Sequence, residues 1–268
     1  MAHEANIPAQ IVTGIPVYGV LALLGFVFAL IYTYIEWNKK GLRKWDYIQV
    51  VSFTTVGALY GAKLWYMIFD PLNAFSSVQS VLDLLIVVFI PATGRSIIGT
   101  VVFVPLSIWG VSKYNPDVKF RQTIDILLPA VLIGQFVARW GNFANHSVFG
   151  QAVDELPVWL PSWIKNNMLI TLDKETAYRQ PLFLYESLID LMIFLFITMF
   201  VKNLSNLKQG TAGASYIMTY GMFRAIFEPM RNTEYIMHWG PIPTSLITAL
   251  ILFVVGLYMI YYFNFISE

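Results

Sequence analysis

Long apolar runs decide what this chain can become. Seven of them, at 16–35, 48–69, 97–111, 124–137, 182–201, 212–227 and 242–263, recur along 268 residues. A helix needs about 20 apolar residues to cross a bilayer core, so seven crossings would use roughly 140 residues. Hydrophobic types make up 57% of the chain and charged residues 12%, with a mean hydropathy of +0.62. A soluble domain carries about 25% charged residues, so this chain lacks the supply for a wet surface. An ordinary cytosolic enzyme and a disordered protein are thereby excluded. A net charge of +1 is too small for nucleic-acid binding through bulk charge. Cysteine is absent, which removes disulfides, thiolate metal sites and a cysteine nucleophile. The predicted fold is an all-α integral membrane protein with seven transmembrane helices, organised as a single polytopic membrane domain over 1–268.

The residues before the first run are polar and lack the basic stretch of a cleavable signal peptide, so that run reads as a retained span. Runs 97–111, 124–137 and 212–227 are short or carry polar residues. They are expected to escape a strict hydropathy cut because they line a protein interior. The stretch 78–90 holds Asp83 and is too short to cross; it reads as an interfacial or re-entrant helix. Basic residues set orientation. Lys39, Lys40, Arg43 and Lys44 follow the first run, Lys113, Lys119 and Arg121 the third, and Lys202 and Lys208 the fifth. These odd connections would be cytoplasmic, with the N-terminus outside and the C-terminus inside. The long even connection, 150–180, is rich in Pro, Trp and Asp and becomes a small extracytoplasmic cap.

Polar clusters inside such runs carry the functional signal, because charge at bilayer depth is costly, about 2.5–3.5 kcal/mol on the insertion scale. Arg139 ends the fourth run, and Asn142 and Asn145 follow at three-residue spacing, near its helical face. Gly141 and Gly150 permit close backbone approach. The bland alternative is an arginine snorkelling to headgroups. Tyr220, Arg224, Glu228 and Arg231 form a second stripe of helical spacing. Glu228 can neutralise one of its arginines, and the surplus positive charge suits a phosphate, which guanidinium grips in two-pronged fashion. A structural ion pair is the alternative. Pro181 opens the fifth span, and Tyr185 and Glu186 lie about one turn in. A carboxylate there calls for a partner on another helix, or for simple attraction to the helix N-terminus. Arg95, among glycines before the third span, is a weak anion-binding candidate, and Tyr18 in the first span is weaker. His3, His146 and His238 show no metal-ligand spacing and no Ser–His–Asp grouping, so no metal or other cofactor is called for.

Taken together, the segments VYGVLALLGF at 17–26, GALYGAKLWYMIFD at 57–70, GRSIIG at 94–99, RWGNFANHSVFG at 139–150, QPLFLYES at 180–187 and YGMFRAIFEPMR at 220–231 resemble the prolipoprotein diacylglyceryl transferase family, in the family's own order. The combination of RWGNFxN with a later YGxFRxxxE is highly specific. The resemblance implies seven spans with the N-terminus outside. It also implies transfer of the diacylglyceryl group of phosphatidylglycerol to the lipobox cysteine of a preprolipoprotein, in a bacterial cytoplasmic membrane, with the site toward the outer leaflet. It assigns Arg139 and Arg224 to the phosphate and Gly141 and Asn142 to shaping the pocket. Tyr220 and Glu228 would orient Arg224, and Arg231 would guide the headgroup. Tyr18, Asn145, Gly150, Tyr185, Glu186 and Arg95 complete its substrate-binding set. Four positions depart from the family pattern: Lys63 stands where arginine is usual, Ile98 where histidine or tyrosine is common, Ser147 where glutamate is usual and Gln180 where histidine precedes the proline. A relative that binds lipid or prolipoprotein without turnover, and a small anion or lipid transporter, remain the competing functions.

Overall fold

The computed structural model describes residues 10–12, 15–76, 78–89, 96–172, 175–233, 236, 238–239 and 241–266. In chain order its helices are α1 (Val17–Lys39), α2 (Lys44–Phe69), α3 (Pro71–Ala74), α4 (Val81–Phe89), α5 (Ile97–Tyr114), α6 (Phe120–Ala144), α7 (Ser162–Asn167), α8 (Leu182–Met199), α9 (Thr211–Phe227) and α10 (Thr244–Tyr261). Each of the seven apolar runs thus becomes one long helix. Five of these, among the described residues, are long and apolar enough to cross a membrane: α1, α5, α6, α8 with the turn after it, and α10 with the turn after it. The expectation that the third and fourth runs would escape such a test is corrected. Both helices outgrow their apolar runs, α5 reaching 18 residues and α6 25 residues. The second run falls short instead, because Gln49, Ser52, Thr54, Thr55 and Lys63 dilute it. The sixth behaves as expected, since α9 has 17 residues and carries Ser215, Thr219, Tyr220 and Arg224. α4 spans only nine residues, too few to cross, and its start is capped: Ser80 Oγ accepts from Asp83 N at 3.1 Å and Asp83 Oδ2 accepts from Gln79 N at 3.2 Å.

The chain divides into two compact units. One comprises Met1–Tyr32, Ala130–Phe196 and Ile226–Ile236; the other comprises Thr33–Pro129, Ile197–Ala225 and Met237–Glu268. In the first unit, the stretch expected as a cap is partly β-structure. A three-stranded antiparallel sheet of β3 (Ala152–Val153), β5 (Glu175–Arg179) and β4 (Leu169–Leu172) stands beside α7. Apolar residues of the 150–180 stretch close over the ends of α6 and α8. Leu156, Leu160, Ile164 and Met168 bury themselves against Phe143, Phe149, Phe183 and Leu184. The rings of Phe143 and Phe183 stack at 4.3 Å.

In the second unit, α2 and α5 touch backbone to backbone. A Cβ on Gly99 would lie 2.3 Å from the carbonyl oxygen of Gly61, so only glycine fits there. Asp125 of α6 accepts the backbone N–H groups of Gly210 (2.6 Å) and Gly213 (2.9 Å). It thereby satisfies donors that the first turn of α9 leaves without intrahelical partners. Lys202 and Glu36 pair at 3.2 Å. α10 of this unit presents Leu250, Ile251 and Val254 outward, as α1 of the first unit presents Leu23, Phe26, Phe28 and Ile31. Surfaces of that kind suit acyl chains as solvent.

Candidate active site

The first unit holds a chain of buried charges. Arg139 of α6 meets Glu186 of α8, Nη1 to Oε2, at 2.7 Å, and its Nε lies 3.9 Å from Asp190 Oδ2, one turn along α8. Arg231 meets the other oxygen of Glu186 through Nη2, and its Nε lies 3.5 Å from Glu228 Oε2. The order is therefore Asp190, Arg139, Glu186, Arg231, Glu228, with the sign alternating at each step. Glu186, Arg231 and Glu228 are each at least 95% buried. The expected partner for Glu186 on another helix is thus found twice over, in Arg139 and in Arg231. Arg231 itself faces two carboxylates, Glu186 and Glu228. Within this unit, among the described residues, three carboxylates face two guanidinium groups, because Asp190 joins the set.

Local sequence explains the precision of this arrangement. Trp140 and Ser187, each next to a partner of the central pair, are hydrogen-bonded at 3.1 Å, Trp140 Nε1 donating to Ser187 Oγ. The ring of Trp140 also meets Phe183 edge-on at 5.4 Å. These contacts fix the register of α6 against α8. Arg231 is delivered differently. α9 ends at Phe227, and Pro229 lies in a 3-10 turn, Glu228–Met230, after which Arg231 is extended. The stripe read as one helix is therefore broken, since a proline cannot donate the bond that would continue it. Arg231 instead joins a backbone clasp. Gly150 N donates to Gln180 O at 3.1 Å, Gln151 N to Met230 O at 3.0 Å, and Asn232 N to Phe149 O at 3.2 Å. A Cβ on Gly150 would stand 2.6 Å from Gln180 Cβ, so this glycine is what lets the strands close.

The remaining candidate residues fall into three groups. Asn142 lies on α6, Asn145 just past its end, and Gly141 packs so tightly on Tyr18 of α1 that a Cβ would meet Tyr18 Cδ2 at 2.9 Å. Tyr185 is half-buried on α8 beside Glu186. All of these belong to the first unit. Tyr220 and Arg224 are buried on α9 in the second unit, where Tyr220 packs against Tyr216 with ring centroids 6.0 Å apart. Arg95 lies outside the described residues. The loop after Asn145 is strained: His146 and Val148 adopt φ of +49° and +56°, and a β-branched residue rarely does so. Burial holds the His146 imidazole below its ordinary value, opposed by a hydrogen bond with Asn167, so the ring stays neutral near pH 7. Sequence reasoning missed Gln135 and Asp190, both more than nine-tenths buried. The signal was present, since each lies four residues from a recognised partner, Arg139 or Glu186, inside an apolar run. The second unit also contains an apolar cavity of about 780 Å³, lined among others by Trp65, Val101, Leu106, Ile217, Ile251 and Leu252.

Helices fit to cross a membrane, with a buried guanidinium–carboxylate network, define a polytopic membrane protein built around an ionic site. A sequence profile of the prolipoprotein diacylglyceryl transferase family matches residues 7–262. The chain belongs to that family. It is 33% identical to the phosphatidylglycerol–prolipoprotein diacylglyceryl transferase of Streptococcus sanguinis (strain SK36), over 91% of this chain and 90% of that protein. It is 30% identical to the protein of the same name from Lactococcus lactis subsp. cremoris (strain MG1363), over 91% and 88%. A third relative of that name, from Mycoplasmopsis pulmonis (strain UAB CTIP), is 28% identical over 92% of this chain and 76% of its own length.

Proposed function

We propose that this chain is a phosphatidylglycerol–prolipoprotein diacylglyceryl transferase of a bacterial cytoplasmic membrane. It crosses the membrane seven times with the N-terminus outside, and residues 150–180 cap the outer face. The thiol of a lipobox cysteine releases its proton to water, and its thiolate sulfur attacks the glyceryl carbon that carries the phosphate. The carbon–oxygen bond breaks, its electron pair stays on the phosphate oxygen, and glycerol-1-phosphate leaves as a thioether forms. The chief task is to stabilise the charge gathering on that phosphate. Arg139 performs it in the first unit, with Glu186 and Asp190 fixing the plane of its guanidinium, and Arg231 guides the headgroup from the clasp. Arg224 and Tyr220 supply the groups assigned to them by the family pattern, which also assigns Gly141 and Asn142 to shaping the pocket and Tyr18 and Asn145 to binding substrate. A thiol titrates near 8.5 in water and lower beside cations, so the arginines also favour the thiolate. The nucleophile belongs to the substrate, which suits a chain without cysteine. The apolar cavity of the second unit suits hydrocarbon.

The observation that carries this reading is the pair of signature-segment arginines, Arg139 and Arg231, held on the two oxygens of the single buried carboxylate of Glu186. The test is a purified-protein assay with phosphatidylglycerol and a lipobox peptide. A mass gain of one diacylglyceryl unit on the peptide cysteine, lost in Arg139→Ala and in Arg224→Ala, is the expected result. Fully buried Ile98, at a position where the family often carries a proton-handling residue, favours one second reading, a relative that binds lipid without turnover. Folded protein that retains phosphatidylglycerol yet adds no mass would establish it, whereas ion flux through proteoliposomes would establish a transporter.

A further inference from the structure

Two polar side chains in the first unit have no use in the mechanism above beyond Asp190's approach to Arg139. Gln135 is 6% exposed and Asp190 9%. Neither Gln135 Nε2, Gln135 Oε1 nor Asp190 Oδ2 has a hydrogen-bond partner among the described residues, and none of the three atoms is reached by solvent. Unmet buried polar atoms are rare in folded proteins and call for a partner. Helix geometry puts them at one place. Gln135 is one turn from Arg139 on α6, Asp190 one turn from Glu186 on α8, and both turns lead away from the capped ends of those helices. The Arg139–Glu186 pair at 2.7 Å joins the same two stripes. The site therefore offers two acceptor oxygens and one amide donor around Arg139, with Asp190 Oδ2 3.9 Å from its Nε and Gln135 one turn away along α6. The Arg139 side chain keeps 13% of its surface exposed.

We infer that Gln135 and Asp190 form a diol-recognition subsite that takes the two hydroxyl groups of the terminal glycerol of the lipid headgroup. The inference rests on the proposed reaction and names the residues that make its lipid substrate a glycerol lipid. Two hydroxyl hydrogens satisfy Gln135 Oε1 and Asp190 Oδ2, and a hydroxyl oxygen accepts from Gln135 Nε2. The hydroxyls of that glycerol lie two and three carbon atoms beyond the phosphate ester oxygen, a reach of the same order as one helical turn, about 5.4 Å. A phosphate on Arg139 thus brings the diol to Gln135 and Asp190. The headgroup leads into the protein while the acyl chains trail toward lipid.

The experiment compares short-chain phosphatidylglycerol with phosphatidylpropanol, which has the same phosphodiester and carbon count in its headgroup but no hydroxyl. A site whose buried polar groups need a hydroxyl rejects the analogue that lacks it. Wild-type protein is expected to prefer phosphatidylglycerol by at least roughly tenfold in kcat/KM for lipobox-peptide modification. In Gln135→Met and in Asp190→Asn that preference falls to within about threefold, through a raised KM for phosphatidylglycerol. Two results would overturn the inference while leaving the proposed reaction intact. One is a wild type with no preference; the other is folded variants that slow on both lipids equally and keep the preference, the behaviour of residues that hold only buried water or position Arg139. If wild-type protein transfers from neither lipid, the proposed reaction fails and thermal stabilisation in detergent decides the subsite. Phosphatidylglycerol must then raise the unfolding temperature of the wild type more than phosphatidylpropanol does, with the difference absent from the variants; equal shifts reject it.

Discussion

Glu186 is the residue on which the first-unit site turns. Its two oxygens hold two guanidinium groups from distant parts of the chain, Arg139 and Arg231. Burying such charges costs several kcal/mol each, and only mutual pairing offsets that cost. Breaking one side is therefore far worse than never building it. Glu186→Gln leaves both arginines without their shared carboxylate and is expected to lower stability by about 3–5 kcal/mol, read as a fall in unfolding temperature in detergent, together with loss of transferase activity. Val148 makes the opposite case. Its φ of +56° is uncomfortable for a β-branched side chain, and such strain costs about 1–3 kcal/mol. Val148→Gly is expected to raise stability by about 1 kcal/mol in the same measurement, after the entropic cost of glycine in the unfolded chain.

Among elements, α6 and α8 matter most, and their register is set outside the ion pairs. The hydrogen bond from Trp140 to Ser187 and the stacked rings of Phe143 and Phe183 align them. The small β-sheet rests on the same aromatic cluster, so it helps support the site as well as cover it. The backbone clasp does the same for Arg231, which follows a 3-10 turn instead of continuing α9. Gly150→Ala places a methyl 2.6 Å from Gln180 Cβ. Overpacking of that kind costs about 1–3 kcal/mol. Loss of activity is expected to exceed loss of stability, because the clasp positions Arg231; comparing kcat/KM with the unfolding temperature checks it.

At the scale of the molecule, two predictions follow from charge and exposure. Asp46 stands before the second apolar run, where a hydrogen bond from Arg43 holds its carboxyl below the usual value, opposed by burial and aided by the Asn115 amide. A lowered folded value means that the stabilisation is complete above the unfolded value, near 3.8, and disappears as pH falls through the folded one. The unfolding temperature of wild type should thus drop on acidification below about pH 4, and Asp46→Asn should flatten part of that drop. The second prediction concerns orientation. A chain without cysteine accepts single reporters cleanly. Val158→Cys, on the fully exposed tip of the 150–180 segment, is expected to react with a membrane-impermeant maleimide in intact cells. Lys40→Cys is expected to react only after the membrane is opened, and the reverse pattern would invert the proposed topology.

The seven helices were legible from the chain alone, because apolar length and a shortage of charge leave a polypeptide no other way to satisfy its backbone in lipid. So was the membership of Arg139, Glu186, Glu228 and Arg231 in an ionic site, since charge within an apolar run demands a reason. Which charges would meet was not legible. Pairing depends on the angle at which helices cross, and that angle is set by packing contacts such as Gly141 on Tyr18 or Trp140 on Ser187. The four-residue spacing of Gln135 from Arg139 and of Asp190 from Glu186 stands in the sequence, but the packing of α6 against α8 decides that Asp190 approaches Arg139. Only the tertiary structure decided that one carboxylate would hold two arginines, because one of them arrives on an extended segment after Pro229, where helical spacing no longer predicts what faces what.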